Sequence, residues 1–350
     1  MFSLGAIEAV YMMPSSIDLD QAIAPWLDGR KLRVGLLTNP YSGRNRRWGL
    51  RAANRVLADY PEVYRQEVRT PAEVAAGLAE FARQELDIVA INAGDGTVQA
   101  ALTALLQAPA EWRPLLALLR GGTANMTAGD VGLPGSSAKA LRRLLHWAAT
   151  FEGEARIVRR PILRIQTAPD RPSLFGMFFG AGAIIQGIEL CHQQFYSRGL
   201  NDKLATALAT VWLLLAVARR DGRTLRPVPF RIGLDQSPLA PPEDYLVILA
   251  STLERLFHGL HPYWGSESRP LHYTAVRAQP SHVLRAALPL LWGRPNRFGT
   301  AANGYISHNA GEIRLGMDGL FTLDGELHQA DSRAGPVVIG QGGPISFLRL

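Results

Sequence analysis

The feature that most constrains this chain is a strand, turn and helix cadence repeated between residues 32 and 147. Residues 32–38 form an apolar run, followed by the turn-rich NPYSG and a helical pattern from about Arg46. Residues 63–69 are a second strand, after which Pro71 opens an alanine-rich helix through Gln84. Residues 87–92 and 115–119 are the third and fourth strands, ended by AGDG and RGGTAN. A helix over 97–107 lies between them, and two further helical stretches run to Trp147. Short apolar runs alternating with helices of this length predict a parallel, doubly wound sheet. Ligands of such sheets bind beyond the carboxyl ends of the strands. Three of the four strands end there in turns rich in Gly, Ser or Thr.

From about Glu154 the cadence changes. Short β-type runs at 157–166, 230–234, 245–250, 272–276, 304–307 and 321–323 are separated by Pro and Gly. A helical stretch over 201–219 interrupts them, and a shorter one lies near 282–291. The chain is therefore expected to be α/β, with a doubly wound parallel-sheet domain over 30–153. A mainly antiparallel β-sandwich domain over 154–350 should follow, whose segment 337–350 packs back on the first.

Cys191 is the only cysteine, which excludes an intrachain disulfide and a cysteine-based zinc site. The formal charge is +7, and Lys31, Lys139 and Lys203 are the only lysines, so the basic residues are overwhelmingly arginine. That excess favours anionic partners. The N-terminal stretch has no basic n-region and no clean apolar core, so no secretory signal is expected. The uncharged run 204–218 between Lys203 and Arg219 is shorter than the roughly 20 residues a bilayer requires. It reads as a buried or interfacial helix.

No GxxxxGK[ST], HExxH or GxSxG occurs. What remains are three glycine turns at strand ends: Asn39 to Gly43, Ala93 to Thr97, and Gly121 to Asn125. Glycines let backbone N–H groups approach phosphate oxygens, and hydroxyls near a helix N-terminus add donors. An aspartate in such a loop repels phosphate unless a cation lies between them, so Asp95 points to a divalent metal or its water shell. Farther on, Asp324 and Glu326 flank Gly325 after an apolar run. Two carboxylates so placed can supply a general base and a group that holds it.

Taken together, NPYSG, AGDGT, GGTAN and DGE in this order resemble the diacylglycerol kinase catalytic-domain family. That family includes sphingosine and ceramide kinases and bacterial lipid kinases. The resemblance implies an N-terminal domain of the NAD kinase/diacylglycerol kinase-like type, a C-terminal β-sandwich and an ATP site between them. It also implies Mg²⁺ and transfer of the γ-phosphoryl group to a lipid hydroxyl. Matched residue by residue, it places Asn39, Ser42, Gly43 and Thr70 beside ATP. Ala93, Gly94, Asp95, Gly96, Thr97, Val98 and Gln99 would wrap the phosphates, with Asp95 on the Mg²⁺ side. Gly122, Thr123 and Asn125 would complete the cradle. Asp324 and Glu326 would hold the catalytic base, either one being eligible, with Asp95 the third catalytic residue.

The chain departs from the family at Ala93 (usually Gly), at Gln99 and Ala100 (usually Asn-Glu) and at Met126 (commonly Asp). A second-domain Asp-Asp-Gly segment is replaced by Gly265 to Arg269, where no structural metal is expected. The implied partner is a lipid at an anionic membrane surface. No nucleic acid is expected, a homodimer is left open, and the location implied is cytoplasmic and peripheral to the inner membrane face. The run 205–218, and the pairs Leu256–Phe257 and Tyr263–Trp264, are the candidates for lipid contact. An NAD kinase-like enzyme and a non-catalytic binding member of the fold are the competing readings.

Overall fold

The computed structural model describes residues 31–109, 111–185 and 226–350. The parallel sheet predicted for the first part is present, in the order β2-β1-β3-β4. Its strands are β1 (Val34–Thr38), β2 (Tyr64–Glu67), β3 (Ile88–Ala93) and β4 (Leu115–Arg120). Around it pack α1 (Leu50–Leu57), α2 (Pro71–Arg83), α3 (Asp95–Gln107), α4 (Met126–Asp130) and α5 (Ser137–Thr150). Successive side chains of a strand point to opposite faces, so each central strand feeds two cores. Ile88 and Ala90, with Leu115 and Ala117, pack against Val56 and Leu57 of α1 and Leu141 and Leu144 of α5. Val89 and Ile91, with Leu116 and Leu118, pack against Val74 and Phe81 of α2 and Leu102 of α3. Helices on both faces are what makes the sheet doubly wound.

The later strands are mainly antiparallel. They are β5 (Arg156–Gln166), β6 (Leu174–Gly176), β7 (Phe178–Gly182), β8 (Val228–Leu234), β9 (Glu243–Ser251), β10 (Leu271–Arg277), β11 (Tyr305–Ala310), β12 (Ile313–Gly316), β13 (Gly319–Leu323), β14 (Glu326–Ala330) and β15 (Val337–Arg349). A helix, α6 (Val283–Leu290), lies between β10 and β11. Two sheets face each other. Leu163, Ile165, Ile313 and Ile339 from one pack against Phe179, Ile248, Tyr273 and Phe321 from the other. β8 pairs with β9 through Val228–Phe230 and with β12 through Arg231–Leu234, so it forms a corner between the sheets. The predicted helical stretch 201–219 lies outside the described residues.

β15 ties the two parts together. Its first residues, Val337 to Ile339, pair antiparallel with β12, and most of its length pairs antiparallel with β5. Near its end Phe347 stands opposite Leu116, parallel to β4. Ile345 and Phe347 are buried in the same apolar cluster as α2 and α3, together with Phe175, Met177, Leu253 and Tyr263 of the sandwich part. Full burial of an apolar side chain of this size contributes about 1.5–3 kcal/mol. This shared core fixes the β-sandwich against the carboxyl end of the parallel strands.

Candidate active site

Three turns meet at that end. Asn39 closes the first on itself, its Oδ1 accepting the Tyr41 N–H at 2.9 Å, and its Nδ2 donates to Thr97 Oγ1 at 3.0 Å. Ser42 Oγ accepts the Gly94 N–H at 3.1 Å. The N–H groups of Arg44 and Asn45 both donate to Gly121 O. Glycine is needed where the turns touch: a Cβ on Gly43 would overlap Thr123 Oγ1, and one on Gly122 would overlap the Cα of Gly94. Asn125, at φ +51°, braces the third turn by accepting the Gly122 N–H at 2.8 Å and donating to Gly122 O at 2.6 Å. The result is a backbone-lined cradle at the N-terminus of α3, where unbonded N–H groups favour an anion.

Asp95 occupies the first position of α3. Its Oδ2 accepts the Met126 N–H at 3.1 Å and its Oδ1 the Thr127 N–H at 3.0 Å, so the carboxylate caps α4 and links two turns. Desolvation raises its pKa above the ordinary aspartate value, against the lowering effect of those two donors. Among the described residues no three His, Cys, Asp or Glu side chains converge on a point. A single carboxylate whose two oxygens each accept one N–H and keep a further lone pair, beside an anion cradle, fits Mg²⁺ carried on nucleotide phosphates, since that ion keeps several waters and needs few protein ligands.

The β13–β14 hairpin brings the other two carboxylates to the cradle. Asp324, at φ +50° and only 3% exposed, accepts the N–H groups of Met177 and Phe178, each at 2.9 Å. Burial, with a smaller contribution from the charge of Asp95, pushes its pKa up to about 8 against the pull of the two N–H donors. Glu326 is exposed, and its Oε1 fills the space that a Cβ on Gly96 would take. The two members of Asp-Gly-Glu thus have different surroundings. One is buried and engaged by backbone; the other stands open at the start of α3.

Some residues expected at the site face elsewhere. Val98 is buried in the core shared by α2 and α3. Gln99 donates along the helix to Thr103 Oγ1 at 3.2 Å, and Thr103 in turn donates to Phe175 O. Thr70 accepts the Glu73 N–H at 3.2 Å while Glu73 accepts the Arg69 N–H, a reciprocal N-terminal cap for α2. The pairs proposed for lipid contact are core: Leu256 and Tyr263 are buried, with Phe257 packed beside them and Trp264 against a neighbouring cluster. The run 205–218 lies outside the described residues. Glu267, in the segment 265–269, is held by His308 Nδ1 at 2.6 Å and the Asn309 N–H at 2.8 Å, which pull its pKa down to about 2.

Two asparagines were not anticipated. Asn45 Nδ2 donates to Asn39 O at 2.9 Å and to Asn92 O at 2.7 Å, fastening the first turn to the end of β3. Asn92 is fully buried there beside Gly121, in an otherwise apolar strand. Its polarity within that run was the available signal. Behind the third turn, Arg160 of β5 pairs with Glu254 at 2.6 Å and approaches Asp130 at 3.9 Å, and Asp130 accepts the Glu254 N–H at 3.1 Å.

Comparison with known proteins agrees with this geometry. Residues 33–151 match the model of the diacylglycerol kinase catalytic domain, which bears out the resemblance carried by the motifs. The whole fold is similar to solved structures from Bacillus anthracis str. Sterne. One, described as a diacylglycerol kinase, is 17% identical, with 91% of this chain and 96% of that chain covered and a TM-score of 0.57. A second, provisionally described as a diacylglycerol kinase, is 18% identical, with 91% and 98% covered and a TM-score of 0.61. No curated protein matches the chain. The fold is thus that of the diacylglycerol kinase structures, and its first part is the region that matches the catalytic-domain model.

Proposed function

We propose that this protein is a lipid kinase that transfers the γ-phosphoryl group of ATP to the hydroxyl of a membrane lipid of the diacylglycerol, ceramide or sphingoid type. The observation that carries the reading is the placement of Glu326, from the sandwich part, against Gly96 in the phosphate cradle. Phosphoryl transfer needs the attacking oxygen, phosphorus and leaving oxygen in line, with charge offset by fixed dipoles. The N–H groups of the first turn of α3, which starts at Asp95 and Gly96, would hold the phosphates. Mg²⁺ bound with the nucleotide would neutralise charge on its oxygens, and Asp95 is the residue that would reach it. The lipid oxygen attacks the γ-phosphorus, the bond to the bridging oxygen breaks, ADP departs, and the hydroxyl proton passes to Glu326. Asp324 acts through the backbone of Met177 and Phe178, positioning the hairpin that carries Glu326.

Supporting a peripheral enzyme at the cytoplasmic face, the net charge is +7 and no helix among the described residues is long and apolar enough to cross a membrane. The deciding experiment offers the protein Mg²⁺–ATP with a lipid extract and, separately, with NAD, and reads products by mass spectrometry. Phosphorylated lipid supports the proposal. Phosphorylated NAD without phosphorylated lipid overturns it.

A further inference from the structure

Helix α6 has two unlike faces. Ala286 and Leu290 are buried with Tyr305 in a small core that Trp264, Val276 and Phe298 complete. On the outside, Leu284 is 65% exposed, Leu288 60%, and Trp292, just past the helix end, 49%. A spacing of four residues stacks such side chains in one row. A contiguous exposed row of large apolar side chains marks an interaction surface, whereas isolated ones do not.

The surroundings of that row identify its partner. Arg285, Arg294 and Arg297 are exposed beside it, and none has a carboxylate partner among the described residues. Two of them flank one ring, the guanidinium carbons of Arg285 and Arg297 lying 5.5 and 4.8 Å from the centre of Phe298. Between Ser268 and Gly311 the sequence holds no aspartate or glutamate at all. Apolar side chains rimmed by uncompensated arginines match an anionic lipid surface, into whose headgroup boundary the apolar row inserts. A protein groove of ordinary composition offers no such match. The element is also joined to the site by packed structure. The His261 N–H donates to Leu291 O at 2.8 Å, and Leu256 and Leu260 share a core with Met126 and Ala128 of α4, which follows the third turn.

We propose that α6 and the turn after it dock the protein on an anionic membrane. Leu284, Leu288 and Trp292 enter the interface, and Arg285, Arg294 and Arg297 bind the headgroups. This deepens the lipid-kinase reading and rests on it, because the acceptor must be taken from a membrane.

The test is co-sedimentation of the full chain with phosphatidylcholine vesicles, with and without phosphatidylglycerol, across a salt series. Wild type should prefer the anionic vesicles. Leu284→Ser/Leu288→Ser/Trp292→Ser should lose the salt-resistant part of binding, and Arg294→Gln/Arg297→Gln should weaken low-salt binding about tenfold or more. The arginine pair is surface-exposed, so it stands as the readout if the apolar triple variant does not fold. Binding by the arginine variant equal to wild type overturns the proposal, as does a wild type indifferent to vesicle charge. A variant that changes the oligomeric state on gel filtration with vesicle binding intact also overturns it, by assigning the row to contact between copies. Turnover on detergent-dispersed lipid separates the two readings. Its absence in wild type refutes the kinase, while sedimentation still decides the docking surface.

Discussion

Oε1 of Glu326 occupies the space that a side chain on Gly96 would need, so anything bulkier at position 96 forces the Glu326 carboxylate to move away from the first turn of α3. This contact links the β13–β14 hairpin to the glycine-turn cradle. General-base assistance is worth about 10²–10⁴ in rate. Glu326→Gln should therefore lower kcat by about that range while the Kd for ATP, measured by calorimetry, stays unchanged. Gly96→Ala should lower turnover by displacing Glu326. Unaltered kcat in Glu326→Gln removes it as the base.

Asp95→Asn has a structural consequence besides its catalytic one. The carboxylate accepts two N–H groups, from Met126 and Thr127, and an amide can accept from only one while its NH₂ opposes the other. A buried donor left unpaired costs about 1–3 kcal/mol. The variant should unfold at lower urea concentration as well as lose turnover. A wild-type midpoint would show that the double acceptance is absent in solution.

Asp324 makes stability depend on pH. Its folded-state pKa is about 8, above the ordinary aspartate value, so the native state holds a proton that the unfolded chain has lost. Its contribution is complete at pH below about 4 and disappears as pH rises through about 8. Urea denaturation from pH 5 to 9 should show this decline, and Asp324→Asn should flatten it. Because the charge of Asp95 adds to the upward shift, Asp95→Asn should move the decline to lower pH.

Arg160 is the cation between two carboxylates at the join of the two parts, and it is 9% exposed. Burial raises the pKa of Asp130, and Arg160 opposes that rise. Removing one partner of a buried pair costs about 3–5 kcal/mol, because the other charge is stranded. Arg160→Ala should show that loss in thermal or chemical unfolding, and Arg160→Met/Asp130→Asn should recover much of it. Additive losses in the double variant would mean the pair is not coupled.

The parallel sheet was legible because β1, β3 and β4 are compact apolar runs that end in glycine turns, whereas β2 is polar and largely exposed. The meeting of the turns was legible for the same reason: Gly94 and Gly122 touch backbone to backbone, and Gly43 leaves room for the Thr123 hydroxyl. Side-chain direction was not. Val98 adjoins the cradle in sequence and Thr70 lies in the turn after β2, but helix geometry turns Thr70 into a cap for α2 and Val98 into the core. Nor could the sequence separate Asp324 from Glu326. That distinction arises from the N–H groups of Met177 and Phe178, brought in by a strand far away in the chain. The outward row on α6 escaped notice because Leu, Leu and Trp at helical spacing look the same whether buried or exposed.

The path of β15 bears on how the molecule acquires its structure. The edge of β4 is completed by Phe347, a residue separated from Leu116 by the whole of the sandwich. Contacts between such distant segments form slowly, since a large loop must close before they are rewarded. The first part alone would leave β4 as a bare, strongly apolar sheet edge, a template for aggregation. A fragment covering only residues 31–153 should therefore be recovered as aggregate, and the glycine-turn cradle should mature in a single cooperative step with the β-sandwich part. A newly synthesised chain would need shielding by chaperones until that step is taken.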